Sequence, residues 1–328
     1  MHFGVRKLFI VINNTAAKAR SAWPLVSSQL NAHAIDYELC ETTFAGDATQ
    51  RTRAALHAGH ATVVVLGGDG TLSETAEGFF NLPANDSLTS LPTSINPNAA
   101  LAILPAGTGN DFARGLLNRR ASLADWLRIL IGYCKQTEAA TTSAVDVMAG
   151  RCEGEGRVFI CLNAATMGIG GETGARVAAQ GKFLKQFSGE LRFMVAAVGA
   201  VSAWRERPVR IVVDGRTVIE GPMNLVAVAN GLYAGGGMML SPGALIDDGR
   251  LDVVTASGLN RLEIVRELPR IHRGGHVANP KVRIVQGEHV RVETFTADDR
   301  LLIEADGNVR GKSPVEFRIM PKAIRVVG

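Results

Sequence analysis

Short runs of strand-forming residues alternate with segments of helical periodicity over the first 140 residues. The predicted strands lie at 7–13, 35–41, 61–66 and 100–104, and helical spacing is found at 17–33 and 48–58. The run at 61–66, ATVVVL, is apolar throughout, which is typical of a parallel strand in a sheet covered on both faces. Open parallel sheets bind ligands beyond the carboxyl ends of their strands, so the loops there are the candidate functional segments.

A change of pattern near residue 143 predicts a second domain. Short β-type runs follow at 144–149, 158–163, 209–213, 223–229, 251–256, 281–285, 290–296, 301–304 and 315–320. They predict an antiparallel β domain, which one long helix at Gly189 to Glu206 interrupts. Residues 82–98, with three prolines, are predicted to form a long surface loop of the first domain.

The composition fits two folded domains and excludes several protein classes. The chain of 328 residues is 46% hydrophobic and 20% charged, which is too apolar for a disordered protein. Its four cysteines form no CxxC pair, which argues against a zinc site or a secreted disulfide framework and favours a cytoplasmic location. The longest nearly apolar stretch, Phe193 to Trp204, is shorter than the roughly 17 to 25 residues that span a bilayer.

The net charge of +4 selects no partner by itself. Residues 261–292, the basic stretch, hold seven Lys or Arg residues, three Glu and three His. This stretch is either a solvated face or a surface that meets phosphate, nucleic acid or an anionic membrane leaflet. It has no interleaved aromatic residues on which bases could stack, so nucleic-acid binding is not expected.

A first glycine loop, GGDGT at 67–71, follows the predicted strand at 61–66 and precedes a helix predicted to begin near Leu72. Glycines let backbone amides approach phosphate oxygens, and the amino terminus of the next helix favours negative charge. The loop therefore predicts a phosphate cradle. The alternative is a tight strand-to-helix turn without a ligand.

A second glycine loop, LPAGTGNDFAR at 104–114, follows the strand predicted at 100–104. Its Thr108 and Asn110 offer hydroxyl and amide groups beside the neighbouring strand end, so both loops can face one polyphosphate or nucleoside. No Gly-Lys-[Ser/Thr] closes either loop, and GGDGT is not a GxGxxG fingerprint. Ordinary P-loop and dehydrogenase functions are therefore not expected.

These two motifs together resemble the nucleotide-binding motifs of the diacylglycerol kinase catalytic superfamily, which includes bacterial lipid kinases and sphingosine kinases. Residues 230–252, NGLYAGGGMMLSPGALIDDGRLD, are similar to that family's second-domain signature. Residues 304–311, EADGNVRG, are similar to its carboxy-terminal DG motif. Because these landmarks follow the family's order from about residue 42 to 320, the resemblance covers essentially the whole chain.

The resemblance implies an α/β plus β architecture with two domains. An N-terminal open parallel α/β domain that binds ATP is expected over residues 1–143, and a C-terminal antiparallel β-sandwich domain for the substrate over 144–315. The segment from about 316 to 328 is expected to return to the first domain. The active site is expected in the cleft between the domains.

The resemblance also implies an activity and its ligands. The expected reaction transfers the γ-phosphate of ATP to a lipid hydroxyl, with Asp306 as the general base. A Mg²⁺ ion of the second domain is expected on the backbone carbonyls of Leu245 and Arg250 and the carboxylate of Asp248. The expected ATP contacts are Thr42, Gly67, Gly68, Asp69, Gly70, Thr71, Leu72, Ser73 and Thr108.

For three aspartates, an ordinary structural role is the alternative to the chemical role. Asp69 would repel a phosphate unless Mg²⁺ lay between them, directly or through water; the alternative is a cap of the next helix. Asp306 is either an ordinary Asp-Gly turn residue or the base that accepts the proton of the substrate hydroxyl. Asp248 lies in a similar turn, which also suits a hard cation with a structural or allosteric role.

Two positions depart from the family's pattern. Asn13-Asn14 stands where the family's first strand often ends in Asn-Pro, and Asn308 stands where a Glu often follows the catalytic Asp-Gly. The second departure keeps a catalytically inactive nucleotide-binding regulatory protein as an alternative. An NAD kinase-like enzyme, which shares the GGDGT loop, is another alternative, although the LPAGTGNDFAR string argues against it.

A lipid substrate implies transient peripheral contact with the inner membrane face. The helix predicted at Gly189 to Glu206 either packs into the core or meets the bilayer, and Trp204, beside Arg205 and Arg207, is its expected interfacial end. The acceptor lipid is open among diacylglycerol, a monoacylglycerol, phosphatidylglycerol and a sphingoid base. The oligomeric state is open as well.

Overall fold

The computed structural model describes residues 7–328 except 15, 84–87, 89, 137–140, 155–156 and 181–188. The chain forms two compact units. The first contains the described residues of Met1–Leu82, Pro92–Asp146 and Pro321–Gly328. The second contains those of Pro83–Leu91 and Val147–Met320.

The segment Pro83–Leu91 belongs to the second unit, whereas the sequence pattern assigned it to a loop of the first. Residues 84–87 and 89 of that predicted loop lie outside the described residues. Leu88 is fully buried, and its carbonyl accepts a hydrogen bond from the Arg318 guanidinium at 3.1 Å. Because these contacts join distant parts of the chain, composition alone could not reveal them.

The first unit alternates strands and helices, as the sequence predicts. Its strands are β1 (Leu8–Asn13), β2 (Tyr37–Thr42), β3 (Thr62–Gly67), β4 (Phe80–Asn81), β5 (Thr93–Ser94) and β6 (Ala100–Pro105). Its helices are α1 (Ala17–Ala32), α2 (Asp47–His57), α3 (Asp69–Glu77), α4 (Asp111–Leu116) and α5 (Leu123–Cys134). Strand β7 (Thr142–Cys152) then leads into the second unit.

Strands β2, β1, β3 and β6 lie side by side in that order and are parallel. Every residue of β3 is buried, which confirms the prediction of a central strand covered on both faces. The carboxyl ends of the four strands therefore meet along one edge of the sheet. Both glycine loops begin at this edge, after β3 and β6.

The second unit is mostly β-structure. Its further strands are β8 (Val158–Cys161), β9 (Ala164–Gly168), β10 (Arg207–Val213), β11 (Arg216–Met223), β12 (Leu225–Ala229), β13 (Tyr233–Ala234), β14 (Met238–Met239), β15 (Leu251–Ala256), β16 (Val282–Gly287), β17 (His289–Thr294), β18 (Leu302–Ala305), β19 (Asn308–Lys312) and β20 (Val315–Val327). Its helices are α6 (Ile169–Ala178), α7 (Gly189–Ala203), α8 (Arg261–Ile271) and a 3₁₀-helix at Gly275–Ala278.

Two antiparallel sheets of this unit enclose one core. Strands β16, β15, β12, β9, β18 and β19 form one sheet in that order. Strands β11, β10, β17 and β20 form the other in that order, with β7 beside β20 and β8 beside β7. Buried side chains of both sheets pack together, among them Met167 and Val226 from one and Val290 and Phe317 from the other. The unit is thus the expected β-sandwich.

Strand β20 continues beyond the sandwich into the first unit. Its residues Arg325 and Val326 pair in parallel with Ala100 and Leu101 of β6. The end of the chain thereby adds a strand to the parallel sheet.

Helix α7 has a buried face and an exposed face. Ala196, Ala200 and Trp204, the residue just beyond its end, are buried, whereas Met194 and Val198 are exposed. Trp204 is only 8% exposed, and the Arg207 guanidinium lies 5.2 Å from its ring centroid. The expectation that Trp204 is the exposed interfacial end of this helix is therefore wrong, because its indole belongs to the sandwich core.

The basic stretch at 261–292 is partly neutralised by its own neighbours. Arg270 pairs with Glu267 at 2.9 Å, and Lys281 pairs with Glu263 at 2.8 Å. Hydrogen bonds from the Lys281 ammonium and the Asn260 amide lower the pKa of Glu263. The Glu263 side chain also closes the capping box at the start of α8. These contacts favour a solvated, internally paired face over an extended anion-binding surface.

Membrane crossing by a helix finds no support in the described part of the chain. No described helix is both long enough and apolar enough to traverse a bilayer.

The Phe317 side chain gives a test of the sandwich core. Phe317 is fully buried and packs edge-on against Phe159, with the ring centroids 6.3 Å apart. We expect Phe317→Ala to lower the free energy of unfolding by about 3–5 kcal/mol, because the substitution leaves a cavity. Urea unfolding followed by circular dichroism measures the loss. Phe44→Ala, at a 56% exposed position, should change the value by less than about 0.5 kcal/mol.

Candidate functional site

The first glycine loop runs directly into helix α3. Gly67 ends β3, Gly68 is the extended N-cap residue, and the helix begins at Asp69 instead of near Leu72. The Leu72 amide already donates to the Gly68 carbonyl at 3.0 Å. An aspartate in the first turn complements the positive end of the helix dipole, which explains the earlier start.

The first turn of α3 supplies the elements of a phosphate cradle. The first amides of any helix have no hydrogen-bond partner inside that helix. A Cβ added at Gly67 would lie 2.9 Å from the Cβ of Thr71, so the turn is closely packed on the strand side. A Cβ added at Gly70 would meet no atom within 4 Å, so the backbone there is open to a ligand.

The two glycine loops pack directly against each other. Gly67 pairs with Pro105 in the β3–β6 register, and the Ala106 amide donates to the Gly67 carbonyl at 2.8 Å. A Cβ added at Gly107 would lie only 2.5 Å from the Cα of Gly68. The expected convergence of the two loops at the sheet edge is therefore found in the structure.

Asp69 links the two loops through a hydrogen bond. Its carboxylate accepts from the Phe112 amide of α4 at 3.4 Å. Gly68, not Asp69, is the N-cap residue of α3. The carboxylate thus lies beside the first-turn amides of α3 while it helps to hold α4, a position compatible with a cation ligand next to bound phosphate.

The ends of β1 and β2 complete this edge of the sheet. Thr42 pairs with Asn13, is buried, and donates through its hydroxyl to the Ile12 carbonyl at 3.4 Å. The Asn13 side-chain amide lies 3.5 Å from the Thr71 hydroxyl. The expected ATP contact Thr42 is thus at the same edge as the cradle, one strand beyond Asn13.

Sequence reasoning missed two residues of this edge. Asn13, which departs from the family's pattern, contacts the first glycine loop through its side chain. Lys18, exposed on α1, places its Nζ 3.5 Å from the Gly107 carbonyl and so brings a positive charge to the second loop. The sequence feature that could have identified Lys18 is its position as a lysine in the first helical turn after β1.

The remaining expected ATP contacts differ in accessibility. Leu72 and Ser73 are buried in α3, with 4% and 1% exposure, so their side chains belong to the interior of the unit. Thr108 is exposed in the second glycine loop. Of these three side chains, only that of Thr108 is readily accessible to a ligand.

Asp306 occupies the turn between β18 and β19 with a left-handed backbone, φ 47°. Its carboxylate accepts hydrogen bonds from the amides of Leu162 at 2.6 Å, Asn163 at 3.0 Å and Ala164 at 3.3 Å. Burial raises the pKa of the adjacent Cys161 thiol well above its usual range, and the charge of Asp306 raises it further. The carboxylate is thus held rigidly beside a neutral thiol.

The loop between β8 and β9 that holds Asp306 is itself anchored. The amides of Asn230 and Gly231 donate to the Asn163 carbonyl at 2.7 and 2.9 Å. The Asn230 side chain donates to the Leu162 carbonyl at 2.8 Å. The start of the 230–252 signature therefore supports the position of Asp306, a role that sequence reasoning did not assign to it.

The residues around Asp306 explain how the chain accommodates Asn308. The Asn308 side-chain amide lies 3.5 Å from the Asp306 carbonyl. Glu304 accepts from the Gly307 amide, and its other oxygen accepts from the Thr166 hydroxyl at 2.8 Å. Glu304 thus supplies a carboxylate to this turn, and the amides that hold the Asp306 carboxylate come from residues 162–164 and not from position 308.

The expected metal loop of the second unit is an exposed turn. The Asp248 carboxylate accepts from the Arg250 amide at 2.9 Å, which fixes its orientation, and Leu245 is 58% exposed. One carboxylate and two carbonyls are oxygen ligands of the kind that Mg²⁺ accepts together with water. Over the described residues, no group of three or more His, Cys, Asp or Glu side chains could hold a metal ion.

Comparisons with known proteins find the same two-part organisation. The diacylglycerol kinase catalytic domain matches residues 7–149, and the YegS C-terminal NAD kinase beta sandwich-like domain matches residues 166–328. A Pseudomonas fluorescens protein named "Probable lipid kinase YegS-like" is 30% identical, with 98% of this chain and 95% of that one covered. The diacylglycerol kinase of Mycobacterium tuberculosis is 28% identical, with 86% and 82% covered.

Solved structures share the fold at lower identity. A diacylglycerol kinase from Bacillus anthracis superimposes with a TM-score of 0.68 at 20% identity, covering 98% of this chain and 96% of that one. Yeast NADH kinase complexed with NADH gives a TM-score of 0.54 at 11% identity, with 98% and 82% covered. At these identities the likeness concerns the fold alone.

Gly107→Ala tests the packing of the two loops. The new methyl group would lie 2.5 Å from the Gly68 Cα and 2.7 Å from the Asn110 Oδ1, so backbone must move. We expect a loss of about 1–3 kcal/mol in the free energy of unfolding and weaker binding of ATP, measured by calorimetric titration.

Gly199→Ala is the matched control for that variant. A Cβ at this position of α7 meets the Arg176 side chain at 3.4 Å, an ordinary contact. It should leave ATP binding unchanged. Equal ATP affinity in Gly107→Ala and the natural protein would contradict a role of the packed loops in nucleotide binding.

Proposed function

Because the chain belongs to the diacylglycerol kinase catalytic family, and is thus a lipid kinase with an alcohol group as acceptor, we propose that it transfers the γ-phosphate of ATP to a hydroxyl of a diacylglycerol-like lipid, phosphatidylglycerol or a sphingoid base. The observation that carries this proposal is the direct packing of the two glycine loops at the carboxyl edge of the parallel sheet. Phosphoryl transfer depends chiefly on positioning and charge neutralisation, which such an edge supplies.

In this proposal the first unit binds the ATP phosphates. The first turn of α3 contains Gly70, where the backbone is open, and the Lys18 ammonium lies next to the second loop. Amides, a helix amino terminus and a lysine all stabilise negative charge. Their convergence supports a polyphosphate as the ligand of this edge.

Mg²⁺ is the proposed cation of both metal positions. The Asp69 carboxylate beside the first-turn amides fits an ion held directly or through water, and Asp248 with the carbonyls of Leu245 and Arg250 fits a second ion with a structural or allosteric role. At the first position the ion would neutralise the charge of the phosphates.

Asp306 is the proposed general base. Three amides fix the orientation of its two oxygens, and a carboxylate held in this way can take the proton of a hydroxyl that approaches it. In the reaction, the lipid hydroxyl oxygen forms a bond to the γ-phosphorus of ATP as the bond to ADP breaks. The hydroxyl proton passes to Asp306.

The proposed lipid substrate requires peripheral contact with the inner membrane face. Helix α7 exposes Met194, Val195 and Val198, and helix α8, which contacts α7, exposes Leu262 and Val265. Exposed apolar residues on helices are the feature expected of an interfacial surface.

A labelled-phosphate assay tests the reaction class. The purified chain is incubated with γ-labelled ATP, Mg²⁺ and mixed micelles of a total bacterial lipid extract, with NAD in a parallel reaction. We expect label in an organic-phase product, whose identification gives the acceptor. Label only in NADP would replace the proposal by an NAD kinase. Measurable ATP binding without any label would favour the inactive regulatory protein.

Asp306→Asn tests the base. The substitution retains the size of the side chain and removes its capacity to take a proton, so we expect turnover to fall by about 10²- to 10⁴-fold. ATP affinity should be nearly unchanged. Asp298→Asn, at an exposed position of the same unit, should keep full turnover. Thermal unfolding of both variants checks the fold, and wild-type turnover in Asp306→Asn would exclude the assigned base.

A further inference from the structure

The loop that holds Asp306 contains an asparagine whose side chain has no hydrogen-bond partner among the described residues. Asn163 connects β8 to β9, and its backbone amide donates to the Asp306 Oδ1 at 3.0 Å. Only 5% of the residue is exposed. Its backbone amide and carbonyl are engaged, whereas its side-chain carboxamide forms no hydrogen bond within the described part of the chain. Asn163 is therefore a nearly buried polar group with unused hydrogen-bonding capacity.

A polar group of this kind is unusual in a folded protein. A buried amide that leaves water without gaining a partner is unfavourable, so most buried polar groups are paired. Asn224, which is 3% exposed in the same unit, shows the ordinary arrangement. Its side chain donates to the Leu259 carbonyl at 3.2 Å and accepts from the Leu259 amide at 2.8 Å. The contrast with Asn163 indicates a partner that comes from outside the chain.

The backbone of Asn163 is fixed on both sides, so its side chain starts from a defined position. The amides of Asn230 and Gly231 donate to its carbonyl at 2.7 and 2.9 Å, and its own amide donates to Asp306. A Cβ added at Gly231 would collide with the Asn163 Oδ1. The amide oxygen therefore lies against Gly231, and the Nδ2 donor is the group that is left for a ligand.

The carboxamide lies close to the proposed base. An asparagine side chain extends no more than about 5 Å from its own backbone nitrogen. The Asp306 Oδ1 lies 3.0 Å from that same nitrogen of Asn163. Neither residue is completely enclosed, since Asp306 is 9% exposed and Asn163 is 5% exposed. A molecule that presents a hydroxyl to Asp306 can therefore place its adjoining atoms within reach of the carboxamide.

The chemistry of a carboxamide suits recognition beside a base. An ionisable group next to a carboxylate would change the proton affinity of that carboxylate, whereas an amide is neutral. Its Nδ2 carries two N–H donors, which pair with oxygen lone pairs. In an acylated glycerol, an ester oxygen lies on the carbon next to the one that carries a free hydroxyl. Such an acceptor can meet the base and the amide at once.

We propose that Asn163 is an acceptor-binding residue, whose Nδ2 donates a hydrogen bond to an oxygen of the lipid next to the reacting hydroxyl. This inference rests on the proposed function, in which Asp306 takes the proton of that hydroxyl. It makes Asn163 selective for acceptors that carry a neighbouring oxygen, such as acylated glycerols. A contact that is equally strong in the ground state and in the transition state lowers the KM for the acceptor with little effect on kcat.

Asn163→Leu tests this role by steady-state kinetics with 1,2-dioctanoylglycerol in mixed micelles. Leucine has nearly the shape of asparagine and removes both polar atoms. We expect the KM for dioctanoylglycerol to rise about tenfold through the loss of one hydrogen bond, with the KM for ATP unchanged. The melting temperature should stay equal or rise, because an apolar group replaces a nearly buried amide. An unchanged KM for dioctanoylglycerol would overturn the assignment.

Asn224→Leu is the matched control. It removes a similarly buried amide of the same unit, whose partner is the Leu259 backbone. We expect a lower melting temperature and an unchanged KM for dioctanoylglycerol. Gly231→Ala, which displaces the Asn163 carboxamide without removing it, should reproduce the higher acceptor KM. If Asn163→Leu instead lowers the melting temperature as much as Asn224→Leu does, Asn163 is a structural residue and the assignment is wrong.

Equilibrium binding tests the role without any turnover. Dioctanoylglycerol and 1-dodecanol, which has a hydroxyl but no neighbouring oxygen, are titrated calorimetrically into the natural protein and into Asn163→Leu in the same micelles. We expect the variant to lose about tenfold in affinity for dioctanoylglycerol and to keep its affinity for dodecanol. An equal loss for both compounds, or no binding of dioctanoylglycerol by the natural protein, would overturn the assignment.

The binding and transfer experiments distinguish the failure of this inference from the failure of the proposed function. If Asn163→Leu selectively loses dioctanoylglycerol and the labelled-phosphate assay gives no lipid product, the proposed transfer fails and Asn163 stands as a lipid-binding residue. If lipid is phosphorylated and Asn163→Leu keeps the natural KM and affinity, the proposed function stands and the assignment of Asn163 fails.

Discussion

The close approach of Gly68 and Gly107 is the constraint on which the candidate site of the first unit depends. A Cβ on either residue would come within 3.0 Å of the other's Cα, so only glycine allows the two backbones to meet at this distance. The contact brings the end of β3 and the end of β6 into one surface. Without it, the amides of α3, the Asp69 carboxylate and the hydroxyl of Thr108 would be features of separate loops.

The second unit positions the proposed base, Asp306, in a different way, by the hydrogen bonds that satisfy backbone amides. Leu162, Asn163 and Ala164 connect β8 to β9 and would have unsatisfied N–H groups in a buried loop. The carboxylate of Asp306 accepts all three, so the same bonds that stabilise the loop fix the side chain. In the proposed reaction, a residue held for structural reasons would thereby be pre-oriented as the base, which would reduce the reorganisation needed.

Sequence reasoning succeeds here where one local signal determines the structure. The apolar run ATVVVL predicts β3, and the glycine loop after it predicts the turn into a helix. It fails where partners distant in sequence decide. Strand β9 lies in the middle of its sheet between β12 and β18, yet its residues AATMG carry no strand pattern of their own. The position of Trp204 is similar, because only the sandwich core determines that its indole is buried.

The distribution of charge also depends on which residues the fold brings together, and not only on their order along the chain. The basic stretch at 261–292 is the densest cationic segment noted in the sequence, but Glu263, Glu267 and Glu293 neutralise several of its cations. The pair Arg119 and Arg120 is too short to mark a cationic segment by itself. The turn between α4 and α5 places that pair near Arg114 at one pocket. Local potential depends on the charges that remain uncompensated within a few ångströms, so the number of basic residues along a segment does not by itself predict an anion site.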